Sequence, residues 1–343
     1  MSGVAESVEL ITPAADAVVS LKSSEQQAFY TDKHRWEPHE ADPEPNGCDQ
    51  SSAWPVFFKW RAEGIAELRI ARTPDMREFC SWNGLQQLRI YNLLPGTVYY
   101  YQVCCGGKQS AVRRFTTADE LPRCINMPEV TNVRDCGGWS LGDHRQYKFN
   151  MLYRGGQLEP WTVLSHGCGI NAEGEKVWQS LGIKSELDLR HDGAACCISG
   201  QVNYCKIPST AYAAWQEQGI FGAEAMKQIR RIFEFLGNED VYPVYLHCQG
   251  GGDRTGTLAF LLGAMLGMSY DDLLTDYEFS NLSVSGERSR YSTVWHGFMA
   301  KLRSFAPDGS LQMQVKNYLN CCGVDDLLQQ KITCILTEEG RAR

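Results

Sequence analysis

The sequence predicts two domains, an all-β sandwich followed by an α/β domain. Short runs that alternate apolar and polar residues fill the first part of the chain, where no long helical period intervenes. In the last two thirds, strand-like and helix-like segments alternate, which is typical of α/β architecture. The expected boundaries are a sandwich over residues 1–118, a linker with two prolines over 119–130 and an α/β domain over 131–343.

Composition restricts the classes of protein. The chain has 343 residues, 43% of them hydrophobic and 22% charged, as expected of a soluble globular protein. The longest apolar run, Leu258–Met268, contains two glycines and is shorter than the roughly 20 residues of a membrane helix. A net charge of −8 argues against broad binding of nucleic acid or anionic membranes. We therefore expect no nucleic-acid partner and no membrane insertion.

Cysteine usage points to thiol chemistry instead of a metal site. The chain has 14 cysteines, and none are spaced Cys-x2-Cys, so we expect no structural zinc and no cofactor. The first residues lack the basic start and apolar core of a signal peptide. A thiol-rich enzyme suits reducing conditions, which favours the cytoplasm, with a secreted or periplasmic location if a leader was removed. The spacing leaves open whether any disulfides form.

Strands in the N-terminal domain are predicted where aromatic and β-branched residues alternate with polar ones. These segments are Trp54–Trp60, Ala66–Ala71, Leu88–Tyr91, an aromatic strand that ends near Val103, and Val112–Thr117. The polar segment Lys33–Ser52 contains three prolines and is predicted to be a long loop.

One turn in this domain carries a family resemblance. The run from Leu93 to Tyr99 reads Leu-Leu-Pro-Gly-Thr-Val-Tyr and resembles the tyrosine corner of fibronectin type III domains. The resemblance covers about residues 8–118, and an unrelated β-sandwich is the alternative. It implies that the Tyr99 hydroxyl bonds back to the backbone near the turn. It also implies a domain that docks or positions, with a possible partner of its own.

Helices in the C-terminal domain are predicted from apolar residues at helical spacing. They are Glu173–Leu181, Ala223–Leu236, Thr255–Met268, Asp271–Ser280, Tyr291–Ser304 and Leu311–Leu319. Strands are predicted over Lys184–Arg190 and Val241–Leu246. The helix from Thr255 has almost no polar face, so we expect it to be central and buried.

The strongest functional signal is a strand-loop-helix unit in which Cys248 and Arg254 are separated by five residues. Such a loop wraps a tetrahedral oxyanion with its backbone N–H groups, and the helix dipole adds positive potential. The glycines at 250–252 permit the required backbone dihedrals, and Arg254 can grip two phosphate oxygens. The same field favours the thiolate of Cys248, which is the form that attacks phosphorus.

This stretch resembles the signature of the protein tyrosine phosphatase superfamily, and its Asp-Arg-Thr-Gly ending resembles the atypical bacterial and fungal branch, some of whose members act on phosphoinositides. Further motifs of that branch match at Asn132–Gly138, Leu152–Gly156, Gly182–Arg190 and Asp276–Asn281. The resemblance spans about residues 124–336 and implies an α/β cysteine-phosphatase fold.

The general acid is predicted from the same resemblance. The chain has no Trp-Pro-Asp tripeptide, and the resemblance implies that Asp253 protonates the leaving oxygen and then activates water. Asp192 is the alternative. Relatives usually carry lysine where this chain has Gly252, and the missing charge favours simple phosphomonoesters over multiply phosphorylated headgroups.

The predicted site has two groups of residues. The residues of the catalytic group act on the phosphate or the sulfur, or orient the loop. They are Cys248, Asp253, Arg254, Thr255 as a donor to sulfur, and His247 as a loop-orienting residue bonded to backbone. The substrate-binding group shares a place on or beside the loop and comprises Gln249, Gly250, Gly251, Gly252 and Arg154.

Other polar and aromatic residues have structural alternatives. For Asp135, Asp188 and Arg190 we favour structural ion pairs over a site role. Arg134 and Arg154 are left open between the two. Residues that could cover the site as a lid, or equally pack in the core, are Tyr212, Trp215 and Tyr291.

The predicted function is hydrolysis of a phosphorylated protein or small phosphomonoester, as a protein-tyrosine phosphatase with a phosphocysteine intermediate on Cys248. The first alternative is a phosphoinositide or inositol-polyphosphate phosphatase on the same scaffold. The second is a phosphate-binding adaptor without turnover, which has no need of the thiolate.

Overall fold

The chain divides into two compact units in a computed structural model. The first unit contains the described residues up to Ser23 together with Ala53–Arg123, and the second contains those of Ser24–Ser52 and Cys124–Arg343. The structure describes residues 8–31, 49–160, 169–191, 196–212, 219–284 and 288–340. None of the helices among these residues is long and apolar enough to cross a membrane.

This division differs from the predicted one at residues 24–52, which belong to the second unit instead of the sandwich. Within that segment, the side-chain amide of Gln26 donates to the carbonyls of Gln50 and Ser52 at 2.9 and 2.7 Å. The Ser51 hydroxyl accepts the N–H of Asn132 at 3.0 Å. The Gln26 bonds hold the segment together, and the Ser51 bond ties it to the α/β unit. Most of the predicted loop, residues 33–48, lies outside the described residues.

The first unit consists of two β-sheets. Its strands are β1 (Glu9–Thr12), β2 (Ala17–Val19), β3 (Val56–Arg61), β4 (Ala66–Ala71), β5 (Phe79–Gly84), β6 (Gln87–Ile90), β7 (Val98–Cys105), β8 (Lys108–Gln109) and β9 (Arg113–Thr117). One sheet has the order β1-β3-β6, and the other has the order β2-β9-β7-β4-β5 with β8 beside β7. Side chains of β3 alternate between buried and exposed, as the sequence predicts.

Aromatic side chains join the two sheets of the first unit. The Phe58 ring of β3 lies 5.1 Å from that of Tyr101 and 5.6 Å from that of Phe115, measured between centroids. At the predicted corner, the N–H of Leu94 donates to the Tyr99 hydroxyl at 2.9 Å. This bond is the local geometry that the turn sequence implied.

The second unit is an α/β fold. Its strands, with β10 at the boundary, are β10 (Arg123–Cys124), β11 (Arg134–Asp135), β12 (Arg145–Tyr147), β13 (Leu152–Gly155), β14 (Ser185–Asp188), β15 (Asn203–Lys206), β16 (Val244–His247) and β17 (Thr337–Glu339). Its helices are α1 (Ser24–Thr31), α2 (Ala172–Ser180), α3 (Ala223–Leu236), α4 (Arg254–Leu266), α5 (Tyr270–Phe279), α6 (Thr293–Arg303), α7 (Leu311–Cys321) and α8 (Asp326–Leu336). The main sheet contains the order β11-β13-β16-β14-β15.

Most predicted elements of this unit are present within a few residues of the predicted bounds, and α3 has the predicted bounds. The predicted central helix is α4, which is buried along nearly its whole length and packs against β13, β16, α5 and α7. Two helices, α1 and α8, were not predicted.

Candidate active site

The strongest sequence signal lies at the carboxyl edge of the main sheet. Strand β16 runs parallel to β13 and β14, its two neighbours, and His247 is level with Gly155 and Asp188. The chain leaves β16 at His247, forms a loop over residues 248–253, called here the Cys248 loop, and enters α4 at Arg254. Ligand sites of α/β sheets lie at this edge, because the strand ends converge there with helix N-termini.

The backbone N–H groups that follow Cys248 are available to a ligand as far as the described residues show. Among the described residues, the N–H groups of residues 249–254 donate to no backbone or side-chain oxygen. Asp253 stands at the N-cap of α4, where its side chain would ordinarily accept from the first turn, yet it makes no such bond. The helix N-terminus and the loop therefore offer consecutive donors to an external anion.

A buried sulfur and a guanidinium lie at the two ends of this loop. Cys248 is 3% exposed and its thiol is free. Arg254 is partly buried and forms no hydrogen bond or ion pair with any described residue. It is therefore a cation available to an anion held by the loop.

The glycines of the loop serve different purposes. Gly251 has φ +70°, and a Cβ there would lie 2.4 Å from the carbonyl of Gly155. Of the three glycines at 250–252, only Gly251 adopts positive φ. A Cβ at Gly252 would instead lie 1.9 Å from Nη2 of Arg288. The sequence predicted unusual backbone dihedrals for all three glycines, but only Gly251 has a dihedral that favours glycine.

His247 orients the loop, as predicted. Its Nδ1 lies 3.0 Å from the carbonyl oxygen of Cys248, and its Nε2 lies 3.0 Å from Oε1 of Glu186 on β14. Both side chains are fully buried. A ring bonded at both nitrogens in the core is suited to holding the backbone at Cys248 in place.

Beneath the loop lies a buried polar network that we call the clamp, formed by Asn132, Arg134, Arg154 and Asp276. Asp276 accepts from Arg134 Nε at 2.6 Å and from Arg154 Nη1 at 2.5 Å. Asn132 Oδ1 accepts from Arg134 Nη1 at 2.5 Å. Burial alone would raise the pKa of Asp276, but the two arginines outweigh it and hold the pKa below its ordinary value.

The clamp holds the loop by its carbonyl oxygens. Arg154 Nη2 donates to the carbonyl of Gly251 at 2.8 Å, and Asn132 Nδ2 donates to the carbonyl of Gly250 at 3.1 Å. With these carbonyls turned toward the clamp, the loop amides are left for the opposite side. Asn132 and Asp276 were quoted only as parts of motifs, and their roles as loop supports were missed.

The structure favours the structural alternative for Arg154 over substrate binding. Its side chain is 1% exposed and is bonded to Asp276 and to the carbonyl of Gly251. Burial lowers the pKa of Arg154, while Asp276 and Cys248 act in the opposite direction. Because β13 directs this side chain into the sheet–helix interface, Arg154 supports the loop from below.

Asp253 has a partner that the sequence did not reveal. Arg288 Nη2 lies 3.1 Å from Asp253 Oδ1, and the arginine side chain is 4% exposed while that of Asp253 is 48% exposed. No local pattern marks Arg288, because it lies far along the chain from the loop. The alternative acid, Asp192, lies outside the described residues.

Two other predicted site residues, Thr255 and Gln249, lie on either side of Arg254 along the chain. Thr255 Oγ1 is buried and has no hydrogen-bond partner among the described residues, so the predicted bond to the Cys248 sulfur is not formed. Gln249 is exposed, and its carbonyl accepts from the N–H of Gln157 at 2.9 Å.

The residues for which structural roles were favoured form internal bonds. Arg190 binds Asp188 through Nε and Nη2 at 2.9 and 2.8 Å, and its two Nη atoms bind Glu159 at 2.9 and 2.7 Å. Burial would raise the pKa of Asp188, but hydrogen bonds from Arg190 hold it below its ordinary value. Asp135 accepts from the backbone N–H of Gly137 at 2.8 Å.

The predicted lid residues differ in their surroundings. Tyr212 is buried, its hydroxyl lies 2.6 Å from that of Tyr277, and its ring contacts Trp295. Tyr291 is 49% exposed. Trp215 lies outside the described residues. Tyr212 therefore follows the core-packing alternative.

A groove adjoins the loop at Gln249. It encloses about 230 Å³, and its other lining residues include Asp49, Pro128, Glu129 and Glu159. Asp49 and Glu129 are exposed, and Glu159 is partly buried. Acidic side chains thus border the approach to the loop from this direction.

Metal ligands and disulfides do not contribute to the described part of the site. No group of three or more His, Cys, Asp or Glu side chains that could hold a metal ion occurs among the described residues. The cysteines that the structure describes are all free.

Comparison with known proteins agrees with this arrangement. A curated protein of Cupriavidus necator named "putative tyrosine-protein phosphatase" is 26% identical over 175 residues. That match covers 44% of this chain and 61% of the relative, so the chain spans less than two thirds of the relative's length. A family model described as the tyrosine phosphatase family matches residues 125–331, more than half of the chain. With its Cys248 loop inside the matched region, the chain belongs to the tyrosine phosphatase family.

Proposed function

We propose that the chain is a cysteine-dependent protein-tyrosine phosphatase that hydrolyses phosphomonoesters through a phosphocysteine intermediate. The observation that carries the proposal is a set of N–H groups, at 249–254, that lie between the buried sulfur of Cys248 and the guanidinium of Arg254. Neither these N–H groups nor the guanidinium has a hydrogen-bond partner among the described residues. Consecutive amides at a helix N-terminus bind a dianion, and a nearby arginine adds bidentate hydrogen bonds. The family membership supports the same reaction class.

In the first step, the thiolate of Cys248 attacks phosphorus. The S–P bond forms as the P–O bond to the leaving group breaks, and the carboxylic acid of Asp253 gives its proton to the leaving oxygen. The loop amides and Arg254 stabilise the charge on the three oxygens that do not leave. A tyrosine side chain or another hydroxyl compound departs.

In the second step, Asp253 is a carboxylate and takes a proton from water. The water oxygen attacks phosphorus, the S–P bond breaks, and the thiolate of Cys248 is restored. Inorganic phosphate departs. Asp253 keeps the proton taken from water and is again the carboxylic acid that the next turnover needs. Thr255 contributes its hydroxyl to the departing sulfur, since it spends no hydrogen bond elsewhere among the described residues.

Hydrolysis of an aryl phosphate in the presence of a metal chelator tests the proposal. We expect turnover without added metal, inhibition by vanadate, and loss of activity in Cys248→Ser. Cys334→Ser is the matched control, because Cys334 is exposed on α8 and its loss should leave activity unchanged. Full activity in Cys248→Ser would refute the covalent route.

The role of Asp253 has its own test. General acid catalysis contributes about 10²–10⁴-fold, and mainly where the leaving group is poor. Asp253→Asn should therefore slow phenyl phosphate far more than p-nitrophenyl phosphate. Equal losses on both substrates would move the acid role to another residue, of which Asp192 is the first candidate.

The surroundings of the loop bear on the substrate class. The groove beside Gln249 is bordered by the exposed carboxylates of Asp49 and Glu129, which disfavour additional phosphate groups and suit a peptide with basic residues. Phosphoinositides or inositol polyphosphates are the second candidate, because Arg288 adds a guanidinium beside Gly252. That charge is already paired with Asp253, which favours the phosphotyrosine assignment.

Catalytic efficiency on four substrates would separate these candidates. We expect a phosphotyrosine peptide with flanking lysines to exceed the same peptide with flanking glutamates, and both to exceed inositol hexakisphosphate and phosphoinositide vesicles. Glu129→Gln should reduce the preference for lysines. A higher efficiency on inositol phosphates would reverse the assignment, and tight phosphopeptide binding without turnover would leave the adaptor.

For the first unit, we propose a fibronectin type III-like domain that docks a partner. Support comes from its two sheets and from the bond between the Leu94 N–H and the Tyr99 hydroxyl. An experimental structure whose strand order matches another sandwich family would refute this assignment.

A further inference from the structure

Arg288 lies against the Cys248 loop without belonging to any motif of the sequence. Its side chain is 4% exposed, and its Nη2 atom lies 3.1 Å from Asp253 Oδ1. A Cβ at Gly252 would lie 1.9 Å from Nη2 and 2.3 Å from Cζ. The guanidinium therefore occupies the space where a side chain at position 252 would begin, and glycine at that position makes room for it.

The backbone of Arg288 is held from both sides by one residue. Asn281 Oδ1 accepts the Arg288 N–H at 2.5 Å, and Asn281 Nδ2 donates to the Arg288 carbonyl at 2.6 Å. Asn281 follows α5, the helix that also supplies Asp276 to the clamp. Arg288 is thus anchored at its main chain as well as at its side chain, which is the arrangement expected of a positioning group.

Among the described residues, the charges that act most strongly on this guanidinium come from four titratable groups. Asp253 comes from the start of α4, Tyr212 from the segment after β15, Tyr277 from α5, and Cys248 from the loop. Burial would lower the pKa of Arg288, but these groups together raise it above its ordinary value. Arg288 is accordingly a fixed positive charge at the mouth of the loop.

The two oxygens of Asp253 have different environments. Oδ1 faces Arg288, whereas Oδ2 makes no hydrogen bond with any residue that the structure describes. Because α4 takes no capping bond from this side chain, the ion pair is its one fixed contact among the described residues. The arginine thus leaves Oδ2 available to carry a proton.

We propose that Arg288 is the positioning residue of the general acid: it holds Oδ1 of Asp253 so that Oδ2 carries the proton to the leaving oxygen. This inference rests on the proposed function, in which Asp253 is the acid. Gly252 belongs to the same device, since any larger side chain there would displace the guanidinium.

Three variants of the full-length chain test the proposal. Arg288→Gln removes the charge, Arg288→Lys keeps the charge but loses the planar fork, and Gly252→Ala pushes the intact guanidinium away. Arg303→Gln removes an exposed arginine on α6 and is the matched control. Thermal unfolding of each variant identifies those that fold, and Gly252→Ala keeps the test valid should Arg288→Gln unfold.

The readout is the dependence of kcat on the leaving group. We expect kcat of Arg288→Gln and Gly252→Ala to fall about tenfold on phenyl phosphate and less than about threefold on p-nitrophenyl phosphate. These losses are smaller than the full contribution of a general acid, because the acid itself is still present. Arg288→Lys should recover part of the loss. In an Asp253→Asn background, Arg288→Gln should cause no further loss, because the group it positions is already disabled.

Failure of the inference is distinguishable from failure of the proposed function. If Asp253→Asn shows the leaving-group signature but Arg288→Gln loses equally on both substrates, Arg288 does not position the acid. If Arg288→Gln instead raises KM for a bisphosphate and leaves the leaving-group dependence of kcat unchanged, Arg288 binds a second anion. Absence of the signature in Asp253→Asn itself would refute the acid role.

Discussion

Asp276→Asn is the most informative perturbation of the support beneath the loop. The carboxylate lies between two guanidiniums, 2.6 Å from Arg134 Nε and 2.5 Å from Arg154 Nη1. Both arginine side chains are 1% exposed, and that of Asp276 is 14% exposed. The substitution keeps the shape of the side chain, but leaves two buried cations without a counter-charge.

The magnitude follows from this burial. Removing one partner of a buried ion pair costs about 3–5 kcal/mol of unfolding free energy, since the other charge is left uncompensated. For a unit of this size, about 1 kcal/mol corresponds to roughly 2–4 °C, so the melting temperature should fall by about 6–20 °C. Activity should fall as well, because Arg154 would hold the Gly251 carbonyl less firmly, and displacing a loop by about 1 Å costs about 100-fold.

Calorimetry of the full chain is the assay, with Glu224→Gln as the control. Glu224 pairs with Lys227 at 3.3 Å on the surface of α3, where both side chains are more than 70% exposed. Exposed pairs contribute about 0.2–1 kcal/mol, so the control should barely change the melting temperature. A loss in Asp276→Asn no larger than that of the control would refute the assignment of Asp276 as a buried counter-charge.

The pH dependence gives a second check of the same reasoning. The pKa of Asp276 is lowered in the folded state, so its ionised form stabilises the fold above the unfolded value of about 3.9. That contribution is lost as pH falls through the lowered folded pKa. The difference in unfolding free energy between wild type and Asp276→Asn should therefore be constant above about pH 5 and shrink toward lower pH. A difference that grows on acidification would contradict the sign.

Three further substitutions test separate parts of the structure. Gly251→Ala should lower the unfolding free energy by more than about 1–3 kcal/mol and remove most of the activity, because it adds a collision to a strained φ. Gly182 has a similar φ of +66° but lies in open space, so Gly182→Ala measures the strain alone. Equal losses of unfolding free energy in the two variants would contradict this. Tyr99→Phe removes the acceptor of the Leu94 N–H and should cost about 1–3 kcal/mol in denaturant unfolding of the first unit, with no change in kcat. Thr255→Val should leave stability within about 1 kcal/mol but slow breakdown of the phosphoenzyme, seen as a larger burst of p-nitrophenol; an unchanged burst would remove the hydroxyl from the second step.

Local patterns predicted the elements whose signals are short-range. Strand β4 and helix α3 have the predicted bounds, because alternation and helical spacing are complete within each segment. Helix α8 was not predicted, although it carries a local signal of its own: Asp325 caps its first turn by accepting the N–H of Leu328. Helix α1 carries little, and its buried side chains, Gln26 and Phe29, owe their places to partners elsewhere in the unit.

Long-range partners were beyond prediction from the sequence. Arg154 occurs in a motif that could serve substrate or structure, and its pairing with Asp276 spans 122 positions of the chain. Any of the chain's carboxylates is a chemically acceptable partner for an arginine, so the residue type alone does not choose between a binding role and a supporting role. Burial made that choice for Arg154.

By itself, the sequence determined the order of sheet and helix units, the Cys248 loop with its glycines, and the spacing that puts a thiol and a guanidinium at the two ends of one turn. Those features are local, because a strand, a loop and a helix made of consecutive residues are held close together by the chain itself. Only the tertiary structure decided that Asp253 faces Arg288, that Arg154 supports the loop from beneath, and that residues 24–52 join the α/β unit. These depend on contacts between distant segments, which form when the fold buries charges that must then be paired.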